Sequence, residues 1–330
     1  MYKSGLAWEK KQILRETPMS TLKYFDSSDT HRKLPYASVI KSLHEGLKEP
    51  NTTPPRDHHP LWNSSNTLLL MPSWDSQSLG VKLLSIYPEN RSLKRPTIQG
   101  VYVLFDGTDG RPIAVADAAA LTVRRTSAAS ALAATFLARK NSRTLLMVGA
   151  GALAPHLVRA HATVIPFSTI LIWNRTPSKA HQMAQELSDE SFAVEVVSDL
   201  QVACQEADLI SCATRSTTPL IQGRWIKPGT HIDLVGGHAP EMREADENLI
   251  CKARVFVDSF EAASLEAGDL IQPIRNGVFT WDEVEGDLFD LVQRESPARK
   301  SSHEITLFKS VGTAIEDLIA GRLLIGGDPL

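Results

Sequence analysis

The run Thr144–Thr176, TLLMVGAGALAPHLVRAHATVIPFSTILIWNRT, restricts the possible folds of this chain more than any other stretch. Leu145–Val148 is an unbroken apolar stretch, which suits a strand buried on both faces of a parallel sheet. Gly149, Gly151 and Ala154 follow in the G-x-G-x-x-A spacing of a dinucleotide-binding turn. Gly149 permits the tight turn, Gly151 lets backbone approach a pyrophosphate, and Ala154 lets the next helix sit close to the strand. The phosphates are expected at the N-terminus of that helix, where free N–H groups and the helix dipole favour negative charge. A site selective for NAD normally places Asp or Glu about 20 residues further on, at the ribose 2′-hydroxyl. Here the second strand runs into Trp173, Asn174, Arg175 and Thr176. A cation between two small polar side chains suits a 2′-phosphate, so NADPH is the expected cofactor and NADH the alternative.

The residues before this run have a different pattern. Apolar residues at helical spacing predict a helix over Leu34–Leu47, and the polar, proline-rich Glu49–Pro60 reads as a loop. Thr67–Met71, Gly80–Tyr87 and Gly100–Asp106 read as strands, and Asp109-Gly110 as a hairpin turn between Val101–Phe105 and Pro112–Ala116. Together they predict an antiparallel sheet with a helix on it. From Arg125 onward helices and strands alternate. Thr126 or Ser127 is the expected cap of an alanine-rich helix running to about Lys140. A helix from Pro177 to about Leu187 follows, and strands are expected at Ala193–Val197, Leu209–Ala213, His231–Val235 and Val255–Asp258. Ile305–Leu324 begins as a strand and continues as a helix from about Val311 to Ile319. This rhythm predicts a parallel sheet covered on both faces.

At 330 residues the chain has room for two domains, and its 42% hydrophobic and 22% charged content is that of an ordinary globular protein. A net charge of -3 without a basic block argues against a nucleic-acid partner. No apolar run is long enough to span a membrane, and Met1–Ser20 lacks the apolar centre of a secretory signal. Met1–Pro18 reads as an extension ahead of an alternative start at Met19. Cys204, Cys212 and Cys251 form neither a disulfide framework nor a metal cluster; they read as small buried hydrophobes in a reducing cytoplasm. No metal is expected.

Three cations outside the nucleotide motif could receive an anion: Arg56, Lys82 and Arg125. Lys82 lies in the apolar strand GVKLLSIY, where its charge must reach solvent, a partner or a ligand. Arg125 precedes the helix expected from Thr126, so guanidinium and helix N-terminus would face one carboxylate together. An isolated cation is most often a solvated one, and these positions alone do not fix a site.

Four further segments carry a resemblance: PIAVADAAALTVRRTSAASALAA, VGAGALA, DLVGGHAPEMREAD and ITLFKSVGTAIEDL. As a set they resemble the ornithine cyclodeaminase/μ-crystallin family, from about Phe25 to the C-terminal helix. The resemblance implies an α/β chain with a Rossmann dinucleotide-binding domain over residues 125–312. It implies a discontinuous α+β substrate and dimerisation domain over 19–124, completed by 313–330, and hence a homodimer. It also implies that Arg56, Lys82 and Arg125 bind the carboxylate of a small substrate, and that Phe308–Gly312 abuts the nicotinamide. The expected cofactor contacts are then Gly149, Ala150, Gly151, Ala152 and Leu153, with Asn174, Arg175 and Thr176. Ala213, Val235, Lys309, Ser310, Val311 and Gly312 complete them.

One position departs from the cyclodeaminases, which carry an aspartate in the G-G-D-x-P turn for the substrate amine. This chain has Gly236-Gly237-His238-Ala239-Pro240. Histidine cannot anchor an ammonium as a carboxylate does, but it exchanges protons near neutral pH. With the following M-R-E-A-D, the turn resembles the family's imine reductases, in particular those acting on Δ1-pyrroline-2-carboxylate. The implied reaction is NAD(P)H-dependent reduction of that cyclic imine to L-proline, or of the piperideine analogue to L-pipecolate. Lys82, or His238 through water, would hold or supply the proton. The alternatives are an ornithine cyclodeaminase recycling NAD, a dehydrogenase of open-chain or N-alkylated amino acids, and a μ-crystallin-like binding protein.

Overall fold

The computed structural model describes residues 22–62 and 65–326. The expected extension Met1–Pro18, with the alternative start at Met19, lies outside the described residues. A six-stranded sheet comes first: β1 (Lys23–Phe25), β2 (Asp57–Pro60), β3 (Thr67–Trp74), β4 (Ser78–Ile86), β5 (Ile98–Asp106) and β6 (Pro112–Asp117). Its order is β1-β6-β5-β4-β3-β2. β1 pairs parallel to β6 and every other neighbour is antiparallel, so the sheet is mixed where an antiparallel one is expected. β1 is three residues long, too short to show a period of two. β2, Asp-His-His-Pro, corrects the loop expected from Glu49 to Pro60; as an edge strand it tolerates both its polarity and its proline.

α1 (Ser27–Lys33) and α2 (Tyr36–Gly46) precede β2, and α3 (Ala118–Leu137) leads from the first sheet toward the second. α3 starts two turns before the cap expected at Thr126 or Ser127. Its cap is Asp117, whose carboxylate accepts from Ala120 N at 2.7 Å. Aspartate caps as well as serine, and the alanines that follow favour the helix, so Thr126 and Ser127 are buried in its middle. Arg125 therefore stands on the flank of a helix, away from its N-terminus.

The second sheet comprises β7 (Thr144–Val148), β8 (Thr169–Trp173), β9 (Ala193–Val196), β10 (Leu209–Cys212), β11 (His231–Leu234), β12 (Arg254–Val257), β13 (Val284–Asp287) and β14 (Thr306–Lys309). All neighbours are parallel, in the order β13-β12-β14-β11-β10-β7-β8-β9. Every residue of β10, β11 and β14 is buried, as two covered faces require. Connecting helices are α4 (Ala154–Val164), α5 (Pro177–Glu186), α6 (Leu200–Glu206), α7 (Glu247–Lys252), α8 (Phe260–Glu266), α9 (Gly268–Arg275) and α10 (Leu288–Val292). The chain runs from β7 outward through β8 to β9, then returns to β10 on the other side of β7. Open α/β sheets bind ligands at such a reversal, beyond the C-terminal strand ends.

α11 (Ala314–Leu324) leaves the second sheet and packs on β3, β4, α2 and α3. It thereby brings the residues after β14 against the inner face of the first sheet. Among the described residues no helix is long and apolar enough to cross a membrane. Cys204 and Cys212 are buried as expected, whereas Cys251 is exposed near the end of a short surface helix.

Candidate active site

The glycine turn occupies the reversal point. Gly149 has φ +110°, and a Cβ there would stand 2.7 Å from Ala213 O, so both conformation and space exclude a side chain. At Gly151 a Cβ would meet nothing within 4 Å, which leaves the turn open for a ligand to approach its backbone. Ala154 is fully buried, seating α4 against the sheet, and no side chain caps that helix. Within its first turn Ala154 N already donates to Gly151 O at 3.1 Å and Pro155 has no N–H, so a phosphate there would rely on the backbone of the glycine turn and on the helix dipole more than on the first N–H groups of α4. Behind the turn, the buried Asp233 of β11 receives Ser211 Oγ at 2.7 Å and lies 3.0 Å from His161 Nε2 on α4.

Asn174 braces the turn: its Oδ1 accepts from Ala150 N at 3.2 Å and its Nδ2 donates to Thr176 O at 2.8 Å. Arg175 and Thr176 are exposed, and Arg175 has no hydrogen bond or ion pair with any described residue. Ala150, Ala152 and Leu153 line the open side of the turn, partly or fully exposed. Ala213 and Val235 follow β10 and β11; their N–H groups bond Val148 O at 3.0 Å and Cys212 O at 2.9 Å.

The three cations meet on Val311–Asp317, which spans the loop after β14 and the first turn of α11. Lys82 points to the inner face of the first sheet and is 1% exposed. Its Nζ lies 2.8 Å from Asp317 Oδ2 and donates to Asp317 Oδ1 at 3.0 Å and Thr122 Oγ1 at 3.3 Å. Arg125 is 3% exposed; its Nε donates to Asp317 Oδ1 at 2.9 Å and its Nη1 to Glu316 Oε2 at 2.6 Å. Arg56 Nη2 donates to Val311 O at 2.7 Å and to Gly312 O, and its Nη1 pairs with Glu266 at 2.8 Å. Gly312 has φ +81°, and a Cβ there would lie 2.3 Å from the Arg125 guanidinium. Glycine is what lets the loop and the arginine coexist.

Burial, aided by the Arg125 charge, lowers the Lys82 pKa to about 8, against the pull of Asp317. Burial opposes charge on Arg125 as well, but Asp317 and Glu316 outweigh it and raise its pKa. Asp258, after β12, accepts from Val311 N at 2.7 Å and from Gly312 N, and burial raises its pKa.

The Gly236-Gly237-His238 turn rests on a second buried array. Glu244 accepts from Thr214 N at 2.6 Å and Gly236 N at 2.8 Å. Asp269 accepts from Glu244 N at 2.7 Å and Ala245 N at 2.9 Å. Lys309 is fully buried, with Nζ 3.3 Å from both Asp269 Oδ2 and Leu234 O, so its side chain supports the turn from beneath. Ser310 continues that segment, its N–H bonded to Leu234 O at 3.0 Å. His238 itself reaches solvent. Surrounding protein, then the cations Lys309, Arg56 and Arg215, lower its pKa and favour the neutral ring.

Sequence reasoning missed the acids that hold these cations: Asp258, Glu266, Glu316 and Asp317. Two signals were available. Glu316-Asp317 falls within the FKSVGTAIED run, and Asp258 ends the apolar strand RVFV.

A model of the ornithine cyclodeaminase/mu-crystallin family matches residues 27–325. Protein SAR DEFICIENT 4 of Arabidopsis thaliana is 43% identical over 282 residues, 83% of this chain and 86% of the relative. A Δ1-pyrroline-2-carboxylate reductase of Colwellia psychrerythraea is 36% identical over 313 residues, 92% of this chain and 98% of the relative. The solved structure of Thermococcus litoralis Δ1-pyrroline-2-carboxylate reductase in complex with NADH and L-proline matches with a TM-score of 0.87 and 32% identity, covering 92% of this chain and 96% of that one.

Proposed function

This chain belongs to the ornithine cyclodeaminase/mu-crystallin family, and we propose that it reduces Δ1-pyrroline-2-carboxylate to L-proline with NADPH. The six-membered piperideine analogue, giving L-pipecolate, fits the same reading. The observation that carries it is the convergence of Arg56, Lys82 and Arg125 on Val311–Asp317, beside the β14 end and the His238 turn. Reductases of this imine among the relatives, and the NADH and L-proline of the Thermococcus litoralis complex, support the same substrate class.

The residues present fit a dinucleotide: an open Gly151, an uncapped α4 and an unpaired Arg175 beside the turn. When bound, it supplies the hydride. Gly149–Leu153 would hold its pyrophosphate, Arg175 and Thr176 a 2′-phosphate, and Ala213, Val235 and Ser310–Gly312 its nicotinamide end. Arg125 and Lys82, with Arg56, would clamp the substrate carboxylate and fix the orientation of the imine carbon. Lys82, with a pKa near 8, or the His238 ring through water would hold the proton that makes the imine a better hydride acceptor.

In this reading residues 19–124 and 313–330 form the substrate unit and 125–312 the cofactor unit. A homodimer is part of it. Pro72, Val81, Val103, Val115 and Tyr24 form one cross-strand row on the sheet face opposite Lys82. Tyr24 is 68% exposed, and a row this apolar calls for a covering surface. Free cysteines suit a reducing cytoplasm.

The test is an assay of purified protein with NADPH and Δ1-pyrroline-2-carboxylate over about pH 5–9, a span around the histidine pKa. Oxidation of NADPH with formation of L-proline is expected. No turnover anywhere in that range rejects the proposal. Ammonia release from L-ornithine without added cofactor replaces it by a cyclodeaminase, which His238 argues against.

A further inference from the structure

Three cations of the clamp are surrounded by four carboxyl groups: Asp258, Glu266, Glu316 and Asp317. Asp258 holds three backbone N–H donors, of Val311, Gly312 and Ser259. Asp317 is shared by Lys82 and Arg125, and Glu266 faces Arg56. Glu316, like Glu266, has a single ion-pair partner, but it is the more deeply buried of the two. Its Oε2 meets Arg125 Nη1 at 2.6 Å, its Oε1 has no hydrogen-bond partner, and the residue is 1% exposed. A buried carboxylate with one oxygen unmatched carries the full cost of lost hydration. A substrate carboxylate docking on Arg125 would place another negative charge in the same dry volume, and closely spaced carboxylates do not all stay ionised.

Building on the function proposed above, we infer that Glu316 is a positioning residue that takes a proton from solvent when an anionic substrate docks on Arg125. Neutral Glu316 loosens its hold on the guanidinium, which then pairs with the substrate carboxylate. The proton returns to solvent when the carboxylate leaves, and is separate from the one that ends on the imine nitrogen.

Burial raises the Glu316 pKa to about 7, with Arg125 opposing and Asp258 and Asp317 adding to the rise. The charged groups around it are Arg125 from α3, Asp258 after β12 and Asp317 on its own helix. Beyond these lie Lys82 from β4, Arg56 before β2 and Glu266 from α8. The sign follows. Below about pH 7 Glu316 is already neutral and an anion binds without proton uptake. As pH rises through 7 the free protein holds Arg125 as an ion pair, so binding weakens and draws in a proton. Lys82 loses its own charge only near 8.

The experiment titrates the protein, saturated with NADP⁺, with pyrrole-2-carboxylate, a cyclic carboxylate without the imine. Calorimetry at about pH 7.5 in two buffers of different ionisation enthalpy reads the protons taken up. Wild type is expected to take up a proton, approaching one per site, and its Kd to rise by up to about tenfold per pH unit above 7. Glu316→Gln should lose most of that uptake and weaken only where Lys82 titrates; Glu316→Asp should restore it. With the imine as substrate, the same change should move the pH profile of KM more than that of kcat. A wild-type Kd flat from about pH 6 to 8 with no proton uptake overturns the inference, as does unchanged uptake in Glu316→Gln. If Glu316→Gln does not fold, the wild-type buffer comparison is repeated at about pH 7, roughly a unit below the Lys82 midpoint. Uptake of about half a proton per site there supports Glu316, and uptake that appears only as pH approaches 8 belongs to Lys82 and overturns the inference. Turnover of pyrroline-2-carboxylate alongside a flat Kd sinks this inference alone; neither probe binding nor turnover sinks the clamp with it.

Discussion

At the glycine turn, Gly151, Ala152, Arg175 and Thr176 face solvent and Arg175 has no partner among the described residues, whereas at the clamp Lys82 and Arg125 are buried against carboxylates. The first region is backbone and open space, and a ligand must finish it. The second is part of the folded core and already carries its counter-charges. A change at the turn should therefore be felt mainly in cofactor affinity, and a change at the clamp in both stability and turnover.

The largest expected difference is in stability. Asp317→Ala leaves Lys82 and Arg125 buried without their shared partner, a loss of about 3–5 kcal/mol. Arg175→Ala, at an exposed unpaired side chain, should change stability by no more than about 0.5 kcal/mol. Denaturant titration of both variants measures this, and equal losses would break the contrast. Next comes Arg125→Ala, which should lower kcat/KM for the imino acid by about 10²–10³-fold while NADPH affinity stays within about twofold, since one member of a buried charge pair is worth several kcal/mol. Parallel loss of both would mean that Arg125 is misplaced. The smallest effect is that of Arg175→Ala on catalysis: the KM for NADPH should rise about tenfold, the worth of one charge-assisted contact, with NADH unaffected. An unchanged NADPH/NADH preference removes the 2′-phosphate role.

The same contrast explains what could be read in advance. The turn is legible because its requirements are local: Gly149 must take φ +110°, and the strand, turn and helix follow in chain order. Lys82 was legible as a charge that needed an outlet from an apolar strand, yet its partner Asp317 is 235 residues away. Arg125 was placed at a helix start because Thr126 and Ser127 are good caps; Asp117 captured the helix earlier, and burial of the first-sheet face then decided where the guanidinium points. β1 and β2 escaped notice because one is three residues long and the other is polar.

By itself, the sequence determined the elements with a short period and a local cause: the buried parallel strands, the glycine turn and the strand pattern around Lys82. Apolar periodicity and the steric needs of glycine act over a few residues, and no distant part of the chain has to be known. Only the tertiary structure decided which acid meets which base. α11 returns from the second sheet to the first and sets Glu316 and Asp317 against Arg125 and Lys82. Coulomb pairing in a dry interior depends on distance in space, and its strength comes from burial that the fold creates.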